Sequence, residues 1–91
     1  MTAPHSSPPK HSVTMLTRAG CGLCTTALEQ LRGICAEFGI EVDTVDVDEA
    51  AATNPALRAE FGDRLPVTLL DGREHSYFDV DEPRLRADLA R

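Results

Sequence analysis

Tryptophan is absent from the 91-residue chain, and its aromatic residues are one tyrosine and three phenylalanines. With no aromatic platform for bases, and nine Lys or Arg against fifteen Asp or Glu for a net charge of −6, the chain lacks what a phosphate backbone would bind. Nucleic acid is excluded as an expected partner. No apolar run approaches the roughly 20 residues of a membrane span, and even "VTLL" contains a threonine, so no membrane partner is expected either. The three cysteines are too few and odd in number for the bridged framework of a small secreted scaffold. No charged segment leads into an apolar one as a secretion signal would, and a reducing cytoplasm is the expected location.

What is present begins with "MTAPHSSPPKHS", residues 1–12, which holds three of the six prolines and almost nothing apolar. It reads as a disordered tail preceding one domain over residues 13–91. A domain of that size buries roughly 60% of its unfolded surface and needs no staples.

Along the domain, "VTMLTR" (Val13 to Arg18) reads as a strand buried on both faces. From Leu23 the apolar positions Ala27, Leu28, Leu31, Ile34, Cys35 and Phe38 recur at threes and fours, predicting a helix over Gly22 to Phe38 closed by Gly39. "IEVDTVDVD" predicts a second strand whose apolar phase slips between Val42 and Val45, as a bulge would cause. After a turn through Ala50 to Ala52, Asn54 as cap and Pro55 at the first position predict a short helix carrying Leu57 and Phe61 and ending at Gly62. "PVTLLDGREHSYF" predicts two antiparallel strands around an Asp71-Gly72 turn. Asp81 is placed to cap a last helix, with Val80 stapled onto Leu85 and Pro83 tolerated in its first turn. The expected order is β-α-β-α-β-β-α, an α/β domain with a four-stranded mixed sheet flanked by helices.

Within that order "TRAGCGLC" puts Cys21 where the first strand hands over to the first helix. Unpaired N–H groups and the positive end of the helix macrodipole stabilise an anion there, lowering a thiol pKa from about 8.5 toward neutrality. Cys21 is the expected nucleophile, and Cys24, one helical turn on, the resolving thiol. Gly20 and Gly22 flank the nucleophile and leave its sulfur open to a partner. A C-x-x-C also supplies half of a tetrahedral zinc site. The chain has no second such pair, however, and the other candidate ligands are scattered: Cys35 on the buried helix face, His75 on a strand, His5 and His11 in the tail. No metal is expected, and Cys35 reads as core filler.

The segments "TRAGCGLC", "VDVD" and "LPVTLLDGREHSYF" together resemble the thioredoxin superfamily, and within it the glutaredoxin-like branch of small bacterial proteins, over about Val13 to Arg91. The resemblance implies a thioredoxin-like, glutaredoxin-type fold. It implies a cis peptide at Pro66, with Pro66 beside the sulfurs and the backbone of Leu65 free to pair with a bound peptide or small thiol. It also implies that Arg18, three residues before the nucleophile, favours the thiolate and contacts a carboxylate of glutathione. Gly22, Leu23, Tyr77 and Asp79 complete the expected substrate-binding set. The chain departs from the thioredoxins proper, which carry Trp-Cys-Gly-Pro-Cys and a buried aspartate where this chain has Leu23 and Met15. It also departs from the glutaredoxins at Ser76-Tyr77, where they have Gly-Gly.

The function these readings imply is a thiol-disulfide oxidoreductase. It acts as a monomer on protein or small-thiol mixed disulfides, takes electrons from a reductase or a thiol, and needs no cofactor beyond a low-molecular-weight thiol as co-substrate. A second reading is a non-catalytic binding module, or a dimer holding a metal or iron-sulfur cluster.

Overall fold

The computed structural model describes residues 10–91. Most of the stretch read as a tail, residues 1–9, lies outside them. Of its end, Ser12 donates its N–H to Asp71 Oδ1 at 2.8 Å and His11 Nδ1 lies 2.7 Å from Asp71 Oδ2.

The strands are β1 (Val13–Thr17), β2 (Val42–Asp46), β3 (Val67–Leu70) and β4 (Arg73–Tyr77). They form one sheet in the order β2-β1-β3-β4, with β1 and β2 parallel and the other two pairs antiparallel. The helices are α1 (Gly22–Ala36), α2 (Val47–Ala50), α3 (Pro55–Phe61) and α4 (Glu82–Leu89). The expected mixed four-stranded α/β architecture is observed, with one added turn of helix, α2.

The alternation of β1 divides the core. Val13 and Met15 pack under α1 and α4 with Leu31, Ile34, Cys35, Leu85 and Leu89. Leu16 faces the other way onto Val47 and Val67, with Leu57 and Phe61 of α3 against them. Both faces of the sheet are thereby covered, and the central strand reads as apolar on each. Arg86 of α4 ties the two helices of the first face together at their exposed rim. It donates through Nη1 and Nη2 to the two oxygens of Glu37 at 2.9 and 2.8 Å, and through Nε to Glu82 at 2.9 Å.

Several boundaries differ from expectation for local reasons. Helix α1 ends at Ala36, because Gly39 turns the chain with φ 70° and Ile40 returns its N–H to the Cys35 carbonyl. Strand β2 stops at Asp46, whose carboxylate accepts from the N–H groups of Asp48 and Glu49 and so starts α2 where the sequence suggested more strand and then a turn. The apolar phase slip is therefore not a bulge: β2 stays in unbroken register with β1 from Val13↔Val42 to Thr17↔Asp46. The bulge lies instead in β4, which skips His75 between the pairs Thr68↔Ser76 and Leu69↔Glu74. Asn54 precedes α3, but its side chain makes no capping bond. The turn at Asp71 (φ 53°) and Gly72 (φ 84°) has both central residues left-handed, as a two-residue hairpin requires. Asp81 caps α4, with Val80 and Leu85 buried in the same cluster.

Candidate functional site

The parallel β1-α1-β2 unit brings the chain out of the end of β1 and directly into α1. Gly20, at φ 78°, makes the reversal between them, and Cys21 donates its N–H to the Arg18 carbonyl at 3.3 Å. Cys21 is the N-cap of α1, its Sγ accepting the N–H of Cys24 at 3.1 Å. Cys21 and Cys24 are joined as a disulfide, with Cα atoms 5.2 Å apart. No acidic residue stands in the first turn of the helix to oppose a thiolate, and fifteen residues of aligned peptides lie behind it. Cys24 is buried at 3% exposure, whereas Cys21 is half-buried, so the accessible sulfur is that of Cys21. Met15 is fully buried in the core below, and the site has no interior carboxylate at that position.

The rest of the expected set gathers at the same end of the sheet, though not in one hollow. Leu16 pairs with Val67 in the antiparallel β1-β3 ladder, so the start of β3 lies beside the end of β1. There the Leu65-Pro66 peptide is cis, Pro66 is buried, and its carbonyl accepts the N–H of Phe78 at 2.7 Å. Among the described residues neither the N–H nor the C=O of Leu65 has a backbone partner. The cavity against the disulfide, about 430 Å³, is lined by Cys21, Cys24, Gly22 and Arg18 together with Thr17, Thr25 and Thr44. Tyr77 and Asp79 line a separate hollow of about 470 Å³ with Ser76, Asp81 and Arg84. Leu23 projects into solvent between the two cysteines, 64% exposed.

Arg18 does not extend freely. Its Nε and Nη2 donate to the two oxygens of Asp48 at 2.7 and 3.1 Å, and Nη1 donates to the Gly62 carbonyl at 3.2 Å. The Asp48 hydrogen bonds raise the Arg18 pKa and, in return, hold the Asp48 carboxyl below the usual carboxylate range. Asp48 is the site residue that sequence reasoning missed. It lies thirty positions from Arg18, and no local pattern signals a pairing at that range. The "VDVD" segment carried the only trace of it.

His75 has one ring nitrogen engaged, and its buried Nδ1 has no hydrogen-bond partner among the described residues. Its ring is buried with Nε2 2.8 Å from Asp88 Oδ2, and Arg84 donates to its carbonyl, which fastens the bulged β4 to α4. Among the described residues no three His, Cys, Asp or Glu side chains gather into a metal-binding group. No helix among them is long and apolar enough to cross a membrane.

Cys35 sits fully buried in the core, where burial pushes its thiol pKa up. Iodoacetamide at neutral pH is therefore expected to label reduced Cys21 ahead of Cys24, and to leave Cys35 unlabelled until denaturant is added. Peptide mapping by mass spectrometry reads the order, and native labelling of Cys35 would contradict it.

The model of the family described as Glutaredoxin-like domain (DUF836) matches residues 12–90. Uncharacterized proteins of Mycobacterium tuberculosis and Mycobacterium bovis are 65% identical over 80 residues, spanning 87% of this chain and 82% of each relative. Among solved structures, a structural-genomics target protein of X. campestris is 34% identical, covers 87% of this chain and 96% of its own, and superposes with a TM-score of 0.63. A thioredoxin of Fasciola hepatica, 24% identical, covers 91% of this chain and 81% of its own with a TM-score of 0.58, a likeness of fold.

Proposed function

This chain belongs to that glutaredoxin-like family, its thioredoxin fold and bonded Cys21–Cys24 pair support a redox-type role, and we propose that it is a dithiol thiol-disulfide oxidoreductase. The observation that carries the proposal is the cysteine pair at the N-terminus of α1, with the more accessible sulfur at the cap and the buried one a turn inside.

In the reaction, the Cys21 thiolate attacks one sulfur of a substrate disulfide. A Cys21–S bond forms, the substrate S–S bond breaks, and one substrate thiolate leaves. Cys24, deprotonated, then attacks Cys21 Sγ; the Cys21–Cys24 disulfide forms and the second substrate thiolate leaves. Two electrons pass to the substrate, which takes up two protons. A small thiol or a dithiol reductase returns the pair to its reduced form by the same exchange in reverse.

The substrates are disulfide-bonded proteins or mixed disulfides of a small thiol, encountered by a monomer in the cytoplasm as part of redox homeostasis. The surface supports a macromolecular partner. Among the described residues the exposed large hydrophobics are Leu23, Tyr77 and Phe78, all at the redox end, with Tyr77 and Phe78 edge-to-face at 5.1 Å. The unpaired backbone of Leu65 suits an extended substrate strand.

Equilibration with defined thiol-disulfide buffers, followed by quantitation of free thiols, tests the proposal. One reversible two-electron couple confined to Cys21 and Cys24 is expected. A pair that stays oxidised or stays reduced at every accessible potential would sink it.

A further inference from the structure

Arg18 is the charged residue lining the cavity against the disulfide, and the other polar side chains there, Thr17, Thr25 and Thr44, are neutral. A guanidinium beside a thiol-exchange centre is the group that would read a carboxylate on an incoming small thiol, through two parallel N–H donors. Here that fork is already occupied: Nε and Nη2 engage both oxygens of Asp48, and the Gly62 carbonyl takes Nη1. Asp48 is itself held in place. Its N–H is bound by the Asp46 carboxylate at 2.8 Å, and Arg58 Nη1 lies 3.5 Å from Oδ1, the oxygen that also accepts from Arg18 Nη2. Gly62, the C-cap of α3, donates its N–H to the Arg58 carbonyl at 2.9 Å, which holds its own carbonyl where Arg18 Nη1 meets it.

We infer that Asp48 is a specificity-determining residue: by filling the carboxylate-reading edge of Arg18, it makes the cavity beside Cys21 favour small thiols uncharged at that end over those presenting a carboxylate. The inference rests on the thiol-exchange reading above and deepens it. Asp48 acts through Arg18 and touches no reacting atom.

The test uses the full chain with Cys24→Ser, in which exchange stops at the first step. The Cys21 thiolate attacks a symmetrical disulfide, a Cys21–S bond forms, the reagent's S–S bond breaks, one thiolate leaves, and the adduct accumulates for mass spectrometry. The reagents are oxidised glutathione, which carries carboxylates, and bis(2-hydroxyethyl) disulfide, which carries none. Asp48→Ala is expected to raise the rate with oxidised glutathione relative to that with the neutral reagent about three- to fivefold, the scale of an exposed ion pair; any change that a freed Arg18 brings to the Cys21 thiolate acts on both reagents and cancels in the ratio. Asp48→Asn provides the same comparison if the alanine variant folds poorly.

Glu49→Gln removes an equal charge from a neighbouring residue that makes no hydrogen bond to Arg18, and is expected to change neither rate. Arg18→Gln added to Asp48→Ala is expected to cancel the gain. An unchanged ratio of the two rates in both Asp48 variants, or an equal gain in Glu49→Gln, would overturn the inference and leave thiol exchange standing. Failure of the Cys24→Ser protein to form an adduct with either reagent would overturn both.

Discussion

Cys21→Ser is expected to abolish thiol-disulfide exchange, a loss of roughly three orders of magnitude or more, since a hydroxyl at the helix N-terminus has no anionic form near neutral pH to attack a disulfide. Cys24→Ser should behave differently. It keeps the accessible sulfur at the helix cap, so it is expected to retain exchange with small mixed disulfides while losing the two-thiol reduction of protein disulfides. The asymmetry follows from position. Cys21 caps α1 and is half-buried, whereas Cys24 is 3% exposed and, in the proposed route, enters only after a mixed disulfide has formed on its neighbour. Turnover of a protein disulfide and of a small mixed disulfide, measured side by side for the two variants, checks the expectation. Equal losses on both substrates in both variants would contradict the division of roles.

Leu31→Ala is expected to lower stability by about 2 to 5 kcal/mol, because Leu31 is fully buried where α1 meets the sheet and α4, and removing it leaves a cavity. A single small domain has only about 5 to 15 kcal/mol in total, so this is a large share of it. For a chain of this length the midpoint of thermal unfolding should fall by roughly 10 to 30 °C. Thermal denaturation by circular dichroism reads the shift. Leu23→Ala is the control: at 64% exposure it should stay within about 0.5 kcal/mol of the parent. The damage should reach the redox pair as well. Cys24, Ala27, Leu31, Ile34 and Cys35 form the buried stripe that holds α1 in place, and loosening it should make Cys24 accessible to alkylation.

The readings that survived contact with the structure were those resting on local chemistry. The apolar spacing from Ala27 to Cys35 delivers the buried face of α1, and the Asp71-Gly72 pair delivers a turn with two left-handed residues. Asp81 caps α4, and Cys35 fills the core. Each depends on residues within one or two turns of each other, a range over which side-chain periodicity and backbone preference act directly. The misreadings have two sources, one a local competition and the other a long-range contact. The end of β2 is decided by which carboxylate captures the next N–H groups, and Asp46 does so in a segment where several acidic residues alternate with valines. The bulge at His75 depends on how β4 must shift to meet β3 and on the pairing of His75 with Asp88 across to α4.

By itself the sequence determined the element types other than α2, the sharing of the two core faces by β1, and the placement of a C-x-x-C at a strand-to-helix junction. These are consequences of apolar period and of the special backbone needs of glycine, proline and capping residues. Only the tertiary structure decided that Arg18 is spoken for by Asp48 and Gly62, and that Tyr77 and Asp79 lie in a hollow apart from the one that holds the cysteines. Those facts arise where elements distant in the chain arrive at one end of a sheet. An arginine in sequence carries no record of which of fifteen carboxylates the fold will set against it.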